Sequence, residues 1–184
     1  FDSGKQEDIN SLSYTPDLSL DPYTRYEWQV TVWAEDGSSA TSERAYFETA
    51  KMEEAWEAEW ITSELEDDIS PYFRKEFSID SEIVQARAYV CGLGLYEMEI
   101  NGSKVGEEYL MPGYHAYDQM LQYQTYDITD MLISGENTVG AIVGNGWYKG
   151  KFGLAGMKEN FGSRFQMIAE IRITCEDGSV QVIS

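Results

Sequence analysis

The chain has 184 residues, with 33 Asp and Glu against 13 Lys and Arg, which gives a net charge of −20. A nucleic-acid-binding module needs a basic face that displaces phosphate counterions, and binding to an anionic membrane needs polybasic or amphipathic segments. The sequence has neither feature, so both classes of partner are excluded. With 42% hydrophobic and 14% aromatic residues, the chain is predicted to build a packed core.

The first fifty residues contain one predicted hairpin. Apolar and polar residues alternate from Tyr26 to Trp33, which is typical of a half-buried strand, and the turn residues 35–38 lead to a second strand from Arg44 to Thr49. A lone hairpin is marginally stable in water. We therefore expect this part to be the end of a larger domain and the chain to belong to a longer polypeptide, with Phe1 not its biological N-terminus.

An acidic segment separates this hairpin from the rest of the chain. Residues 51–59 contain several glutamates and lack the alternation of a strand, which predicts either a solvated connection or a short helix. A domain boundary is expected near residues 50–58.

The remaining sequence predicts a mainly β domain with short strands separated by turns. The dipeptides Asn101-Gly102 and Asp177-Gly178 are typical of tight turns, and residues 127–133 are predicted to form one or two helical turns. Seven or so strands indicate an all-β fold, an antiparallel β-sandwich of jelly-roll type. The predicted strands are Tyr72 to Ile79, Gln85 to Ile100, Gln122 to Tyr126, Thr138 to Val143, Phe165 to Thr174 and the residues from Val180 onward.

No set of residues predicts catalysis. His115 is the single histidine, and no nucleophile motif accompanies it. Cys91 and Cys175 lie in strand-like runs, far apart and without neighbouring histidines, so a zinc site is set aside and buried free thiols are favoured over a disulfide. Adjacent carboxylate pairs occur no more often than chance predicts in so acidic a chain. The cysteines leave both a cytoplasmic and an exported location open.

A glycine-rich loop at residues 144–153 carries three aromatic side chains. Two interpretations stay open: the rings stack against a sugar, or they fold inward as core, which is the more common fate of large aromatics. For Trp147 and Phe152 the core interpretation is favoured, whereas Tyr148 and Lys149 are expected at the surface.

The sequence resembles a known family in several ordered motifs. The segment from Leu20 to Tyr26 is similar to the tyrosine corner of a fibronectin type III domain. The second part resembles the N-terminal β-sandwich of bacterial α-L-rhamnosidases, glycoside hydrolase family 78, over roughly residues 58–184. The motifs that carry this resemblance are Gly92-Leu93-Gly94-Leu95-Tyr96-Glu97, Ile100-Asn101-Gly102, Leu110-Met111-Pro112-Gly113, Tyr123-Gln124-Thr125-Tyr126-Asp127, Gly135-Glu136-Asn137 and Gly144-Asn145-Gly146-Trp147-Tyr148.

The resemblance implies a domain order and a function. Residues 1–50 would be the C-terminal part of a fibronectin type III-like domain, residues 51–58 a connector, and residues 59–184 a rhamnosidase sandwich truncated at its C-terminal end. The chain would be a non-catalytic accessory fragment of an enzyme that releases terminal α-L-rhamnose from glycans or glycosides by inversion. The catalytic (α/α)6 domain would follow Ser184 in the same polypeptide.

Two alternatives to the accessory role remain, a calcium-dependent rhamnose-binding module and a purely structural interdomain scaffold. Some members of the family bind rhamnose through a calcium ion held by side-chain and carbonyl oxygens, which are the ligands that calcium prefers. By motif position, the resemblance implies as calcium ligands Glu107, Glu108, Asn160 and the carbonyl of Phe165. The candidate sugar-binding residues are Trp147, Tyr148, Lys149 and Asn160.

Overall fold

The computed structural model describes residues 1–10, 12–65, 69–151 and 153–184. They form two compact units, Phe1–Ala55 and Trp56–Ser184. Every sheet in the described residues is antiparallel, which confirms the predicted all-β class. Within the same ranges, no helix has both the length and the apolar character required to cross a membrane.

The first unit contains four short strands in two sheets. The strands are β1 (Arg25–Trp28), β2 (Thr31–Trp33), β3 (Ser39–Thr41) and β4 (Ala45–Glu48). β1 pairs with β4, whereas β2 pairs with β3. The prediction of one continuous strand from Tyr26 to Trp33 is therefore wrong, because its two halves have different partners and separate at Gln29 and Val30.

A tyrosine organises the start of the first unit. The hydroxyl of Tyr26 accepts a hydrogen bond from the backbone N–H of Asp21 at 2.7 Å. This backward bond is the defining contact of a tyrosine corner. The Tyr26 ring also stacks on Phe47, with ring centroids 5.3 Å apart, so the corner fixes β1 against β4.

The second unit is a sandwich of two four-stranded sheets. The first sheet has the strand order β5-β10-β7-β8 and the second the order β12-β11-β6-β9. The strands are β5 (Tyr72–Ile79), β6 (Ile83–Leu93), β7 (Leu95–Ile100), β8 (Ser103–Lys104), β9 (Gln124–Asp127), β10 (Gly135–Gly144), β11 (Gln166–Cys175) and β12 (Val180–Ile183).

The segment from Gln85 to Ile100 is two strands in different sheets, where one was predicted. Gly94 separates β6 from β7 with a φ of +131°, which side chains rarely adopt. The chain thus crosses from one sheet to the other at this residue, and the described part of the sandwich has eight strands.

Alternate side chains of both sheets meet in one apolar core. Its members include Ile79, Ala88, Val90, Met98, Ile100, Ala141, Val143, Ile171 and Ile173, all of them buried. The thiols of Cys91 and Cys175 are free and buried, and burial raises the pKa of Cys91 to about 11. Both cysteines therefore act as small core residues.

The second half of the acidic segment covers the outer face of the second sheet. Ala58 packs against Cys91 and Ile168, and the ring of Trp56 meets Tyr123 edge to face at 5.6 Å. The backbone N–H of Glu57 donates to the buried Glu170 carboxylate at 2.8 Å. No helix forms in residues 51–59, so the helical alternative is wrong.

Two predicted turns of the sandwich are present in the structure. Asn101 and Gly102 have φ values of +52° and +80°, the two positive angles of a type I′ turn, which confirms the predicted turn. The predicted helical turn is a 3₁₀ helix at Thr129–Met131. Before it, the Asp127 carboxylate accepts hydrogen bonds from the N–H and hydroxyl of Thr129 at 3.1 and 2.7 Å.

Candidate functional site

The candidate site lies at the end of the sandwich where β10 leads into a short helix, α1 (Gly146–Lys149). Gly94, Gly144 and Gly146 allow the end of β10 and the start of α1 to approach the start of β7 closely there. A Cβ on Gly94 would lie 2.4 Å from the carbonyl oxygen of Gly144, and a Cβ on Gly146 would lie 2.7 Å from Cγ of Leu95. The helix itself was not predicted from the glycine-rich motif, because four residues are too few to show a helical period.

An aromatic cluster covers this backbone. We define it as Tyr114, His115, Tyr117, Trp147, Tyr148 and Phe161. The ring of Tyr117 is central, with centroids 4.9 Å from Phe161, 5.2 Å from Tyr148 and 5.4 Å from His115. Tyr114 meets Trp147 edge to face at 6.2 Å. The cluster therefore joins α1 to the loop before β9.

The structure brings two of the candidate sugar-binding residues, Trp147 and Tyr148, into this cluster. Both are half-buried. The Tyr148 hydroxyl lies against Gly162, where an added Cβ would be only 2.2 Å away. The most exposed member of the aromatic cluster is Tyr114, at 54%. Sequence analysis did not select it, although the aromatic residues that follow Pro112-Gly113 were a usable signal.

His115 is the most buried member of the aromatic cluster. Its side chain is 3% exposed, and in the described part of the chain neither ring nitrogen has a hydrogen-bond partner. The Tyr117 hydroxyl is also buried without a partner among these residues. Burial lowers the pKa of His115, so the imidazole is neutral at neutral pH. An almost buried imidazole whose ring nitrogens have no hydrogen-bond partner among the described residues is poorly placed for acid–base catalysis.

Lys149 is not at the surface, which corrects the sequence-based expectation. Its side chain is 5% exposed, and its ammonium lies 4.5 Å from the ring centroid of Phe165. The long aliphatic stem and the aromatic face together allow this burial. Lys149 and Phe165 line a cavity of about 570 Å³, whose other lining residues are Ser63, Glu64, Leu65, Ile69 and Arg164.

Among the described residues, no contact joins the pair Glu107 and Glu108 to Asn160 or to the Phe165 carbonyl. Glu107 and Glu108 follow β8 and are exposed, and the Glu108 carboxylate accepts the N–H of Glu107 at 3.1 Å. Asn160 is exposed, and the Phe165 carbonyl accepts the Thr62 hydroxyl at 2.7 Å. Over the described ranges, three or more His, Cys, Asp or Glu side chains nowhere form a metal-binding group. Phe152, the remaining aromatic of the loop, lies outside the described residues.

Family models match both units. Residues 81–184 match the α-L-rhamnosidase N-terminal domain. The chain belongs to this α-L-rhamnosidase N-terminal domain family. Residues 1–53 match the Rha78A-like, N-terminal immunoglobulin domain, and immunoglobulin and fibronectin type III domains share the sandwich architecture.

Individual relatives of the rhamnosidase domain support the same assignment. An α-L-rhamnosidase of Formosa agariphila is 38% identical over 151 residues, which cover 68% of this chain and 16% of the relative. The native α-L-rhamnosidase of Aspergillus terreus matches with a TM-score of 0.83 and 32% identity, over 89% of this chain and 20% of that one. The α-L-rhamnosidase of Dictyoglumus thermophilum matches with a TM-score of 0.77 and 32% identity, again over 89% of this chain and 20% of that one. The chain thus spans a fifth or less of these relatives.

Proposed function

We propose that this chain is a non-catalytic accessory module of an α-L-rhamnosidase that releases terminal rhamnose from glycans or glycosides. The observation that carries the proposal is the match of residues 81–184 to the rhamnosidase N-terminal domain. The site chemistry agrees with it, because His115 is enclosed and the aromatic cluster holds no carboxylate. In this proposal a catalytic domain elsewhere in the same polypeptide supplies the acid and base.

An activity assay tests the accessory role. We expect the 184-residue protein to release no p-nitrophenol from p-nitrophenyl α-L-rhamnopyranoside above the buffer blank, because its described residues present no positioned acid and base. The Aspergillus terreus α-L-rhamnosidase serves as the positive control in the same buffer. Turnover that scales with the concentration of the folded protein would contradict the proposal.

A second candidate function is sugar binding at the aromatic cluster, which the exposed ring of Tyr114 favours. A pyranose presents an apolar face of C–H groups that packs on such a ring. Trp147 and Tyr148 would support Tyr114 from below, and Asn160 would offer an amide at the rim. Calcium held by Glu107, Glu108, Asn160 and the Phe165 carbonyl requires these groups to converge when the ion binds.

Calorimetric titration with L-rhamnose, first in calcium and then in chelator, tests this second function. We expect binding heat in calcium and its loss in chelator, and we expect Tyr114→Ala to weaken binding about tenfold, the upper range for one aromatic contact. Tyr46→Ala, which removes a comparably exposed ring from the first unit, serves as the control. Equal heat in both buffers would reject the calcium ligands, and no heat in either would leave the scaffold role.

A further inference from the structure

Tyr72 is an aromatic residue on the outer face of the first sheet. Side chains alternate along β5, so that Phe73, Phe77 and Ile79 pack in the core and Tyr72 points to the opposite side. Tyr72 is 56% exposed, and Ile142, its partner on β10, is 45% exposed. The two residues therefore present neighbouring apolar side chains to solvent.

Gly140 of β10 provides the space in which the Tyr72 side chain lies. A Cβ on Gly140 would lie 2.2 Å from the Tyr72 hydroxyl oxygen and 2.7 Å from its Cζ. Gly140 is paired with Arg74, which is two residues beyond Tyr72 on β5. The side chain of Tyr72 therefore lies along the sheet, over a main chain that has no side chain of its own there. The outward side of the ring stays open to solvent.

Two carboxylates stand on the strand next to the hydroxyl end of this ring. Glu99 of β7 is paired with Gly140, one strand spacing of about 5 Å away. Glu97 is paired with Ile142 and points to the same side of the sheet. Neither carboxylate makes a hydrogen bond or an ion pair with any of the described residues. Both can therefore accept hydrogen bonds from the hydroxyl groups of a ligand.

The charges on this face of the sheet disfavour an anionic ligand. The charged residues at its outward positions are Glu76, Glu97, Glu99, Glu136, Arg74 and Lys104. Arg74 is paired with Glu76, and the Lys104 ammonium donates to the carbonyl of Glu108. An anion would therefore approach carboxylates whose charge is not compensated, and it would be repelled. The acids at positions 66–68, outside the described ranges, have the same sign. The face therefore suits a neutral ligand.

We propose that this face binds a neutral β-linked glycan segment whose pyranose rings carry equatorial hydroxyls. Such a ring has a flat face of axial C–H groups that packs on Tyr72, while its rim hydroxyls donate to Glu97 and Glu99. An open sheet face buries only one side of each sugar, so a chain of several sugars binds more tightly than a single one. The choice of a sugar rests on the proposed accessory role, whereas the position and the neutral charge rest on the sheet. The site needs no calcium and no residue of the aromatic cluster.

Nuclear magnetic resonance titration of the 184-residue protein tests this proposal. The ligands are cellopentaose, D-glucose as the single ring, and a β-1,4-linked glucuronate pentamer as the anionic match. We expect amide shifts around residues 72–76, 97–99 and 138–142 with cellopentaose, weaker shifts with glucose and none with the glucuronate pentamer. The affinity for cellopentaose should not depend on salt, because the ligand carries no charge.

Substitutions under and at the ring locate the binding. Tyr72→Ala is expected to raise the Kd for cellopentaose about tenfold, the upper range for one aromatic contact, whereas Tyr72→Phe keeps the ring and most of the affinity. Gly140→Ala should also raise the Kd, because its methyl group takes the position of the Tyr72 hydroxyl and displaces the ring. Tyr46→Ala removes a comparably exposed ring from the first unit and serves as the control with an unchanged Kd.

Four outcomes would overturn the proposal: no shifts with cellopentaose, equal binding of the glucuronate pentamer, shifts confined to the aromatic cluster, or an unchanged Kd in Tyr72→Ala. The third outcome would place the glycan at the ring of Tyr114 instead. None of these outcomes affects the accessory role, which the activity assay decides on its own.

Discussion

Replacing Asn137 with leucine is expected to lower the free energy of unfolding of the sandwich by about 4 kcal/mol, because several buried hydrogen bonds are lost at once. Asn137 is 2% exposed. Its amide oxygen accepts the N–H of Ile133 at 3.0 Å and the Asn101 amide at 2.9 Å. Its amide nitrogen donates to the carbonyls of Ile133 and Gly135 at 2.6 and 3.0 Å. Leucine has the same branched outline but cannot form hydrogen bonds, so these partners lose their bonds, and its larger methyl groups add to the cost.

Equilibrium urea unfolding measures this effect. Asn145→Leu makes the same chemical change at an exposed asparagine whose side chain caps no N–H, and its unfolding free energy should stay within about 0.5 kcal/mol of the parent value. A loss of less than about 1 kcal/mol in Asn137→Leu would show that water replaces the amide, and that the turn does not depend on it.

The stability of the protein is expected to fall as the pH is lowered from 7 to 5.5. The folded state holds His115 as the neutral imidazole, since burial lowers its pKa, whereas the unfolded chain takes up a proton near the ordinary value of about 6.5. The unfolded state therefore binds more protons below that pH. The loss continues until the pH reaches the lower pKa of the folded state. The titratable groups near Tyr117, which contacts His115, are Tyr114, Tyr148 and Cys91.

The chain has a single histidine, which makes this pH window specific. The carboxylates titrate mainly below pH 5. Thermal unfolding measured at half-unit intervals should show a declining melting temperature for the parent protein and a flatter profile for His115→Phe. Parallel profiles for the two proteins would contradict the prediction and would indicate that the folded imidazole can be protonated without cost.

Local signals in the sequence were sufficient to predict much of the secondary structure of the sandwich. The strand from Tyr72 to Ile79 has the predicted bounds, because its polar and apolar residues alternate and one face is buried. The Asn101-Gly102 turn follows from the conformational freedom of those two residues. Predictions of this kind succeed where the chemistry of adjacent residues decides the backbone.

Other features depend on contacts between distant residues, and the sequence alone did not reveal them. The separation of β6 from β7 rests on Gly94, which reads as an ordinary glycine inside a strand pattern. The burial of Lys149 depends on Phe165, a residue in a different segment that offers its ring to the ammonium. Tyr114 joins the site only because its loop folds back over α1.

The close approach of Gly94 to Gly144 has a consequence for how the site could be redesigned. The nearest atom to a Cβ on Gly94 would be the main-chain carbonyl oxygen of Gly144, so the two strand ends approach through main-chain atoms. The approach of these strand ends therefore does not use the rings of the aromatic cluster. If the aromatic cluster binds sugar as proposed, residues such as Tyr114 and Trp147 could be exchanged to suit a different sugar while the strand ends keep their positions. The main chain would then act as a constant support for variable side chains, which suits laboratory selection for new glycan specificity.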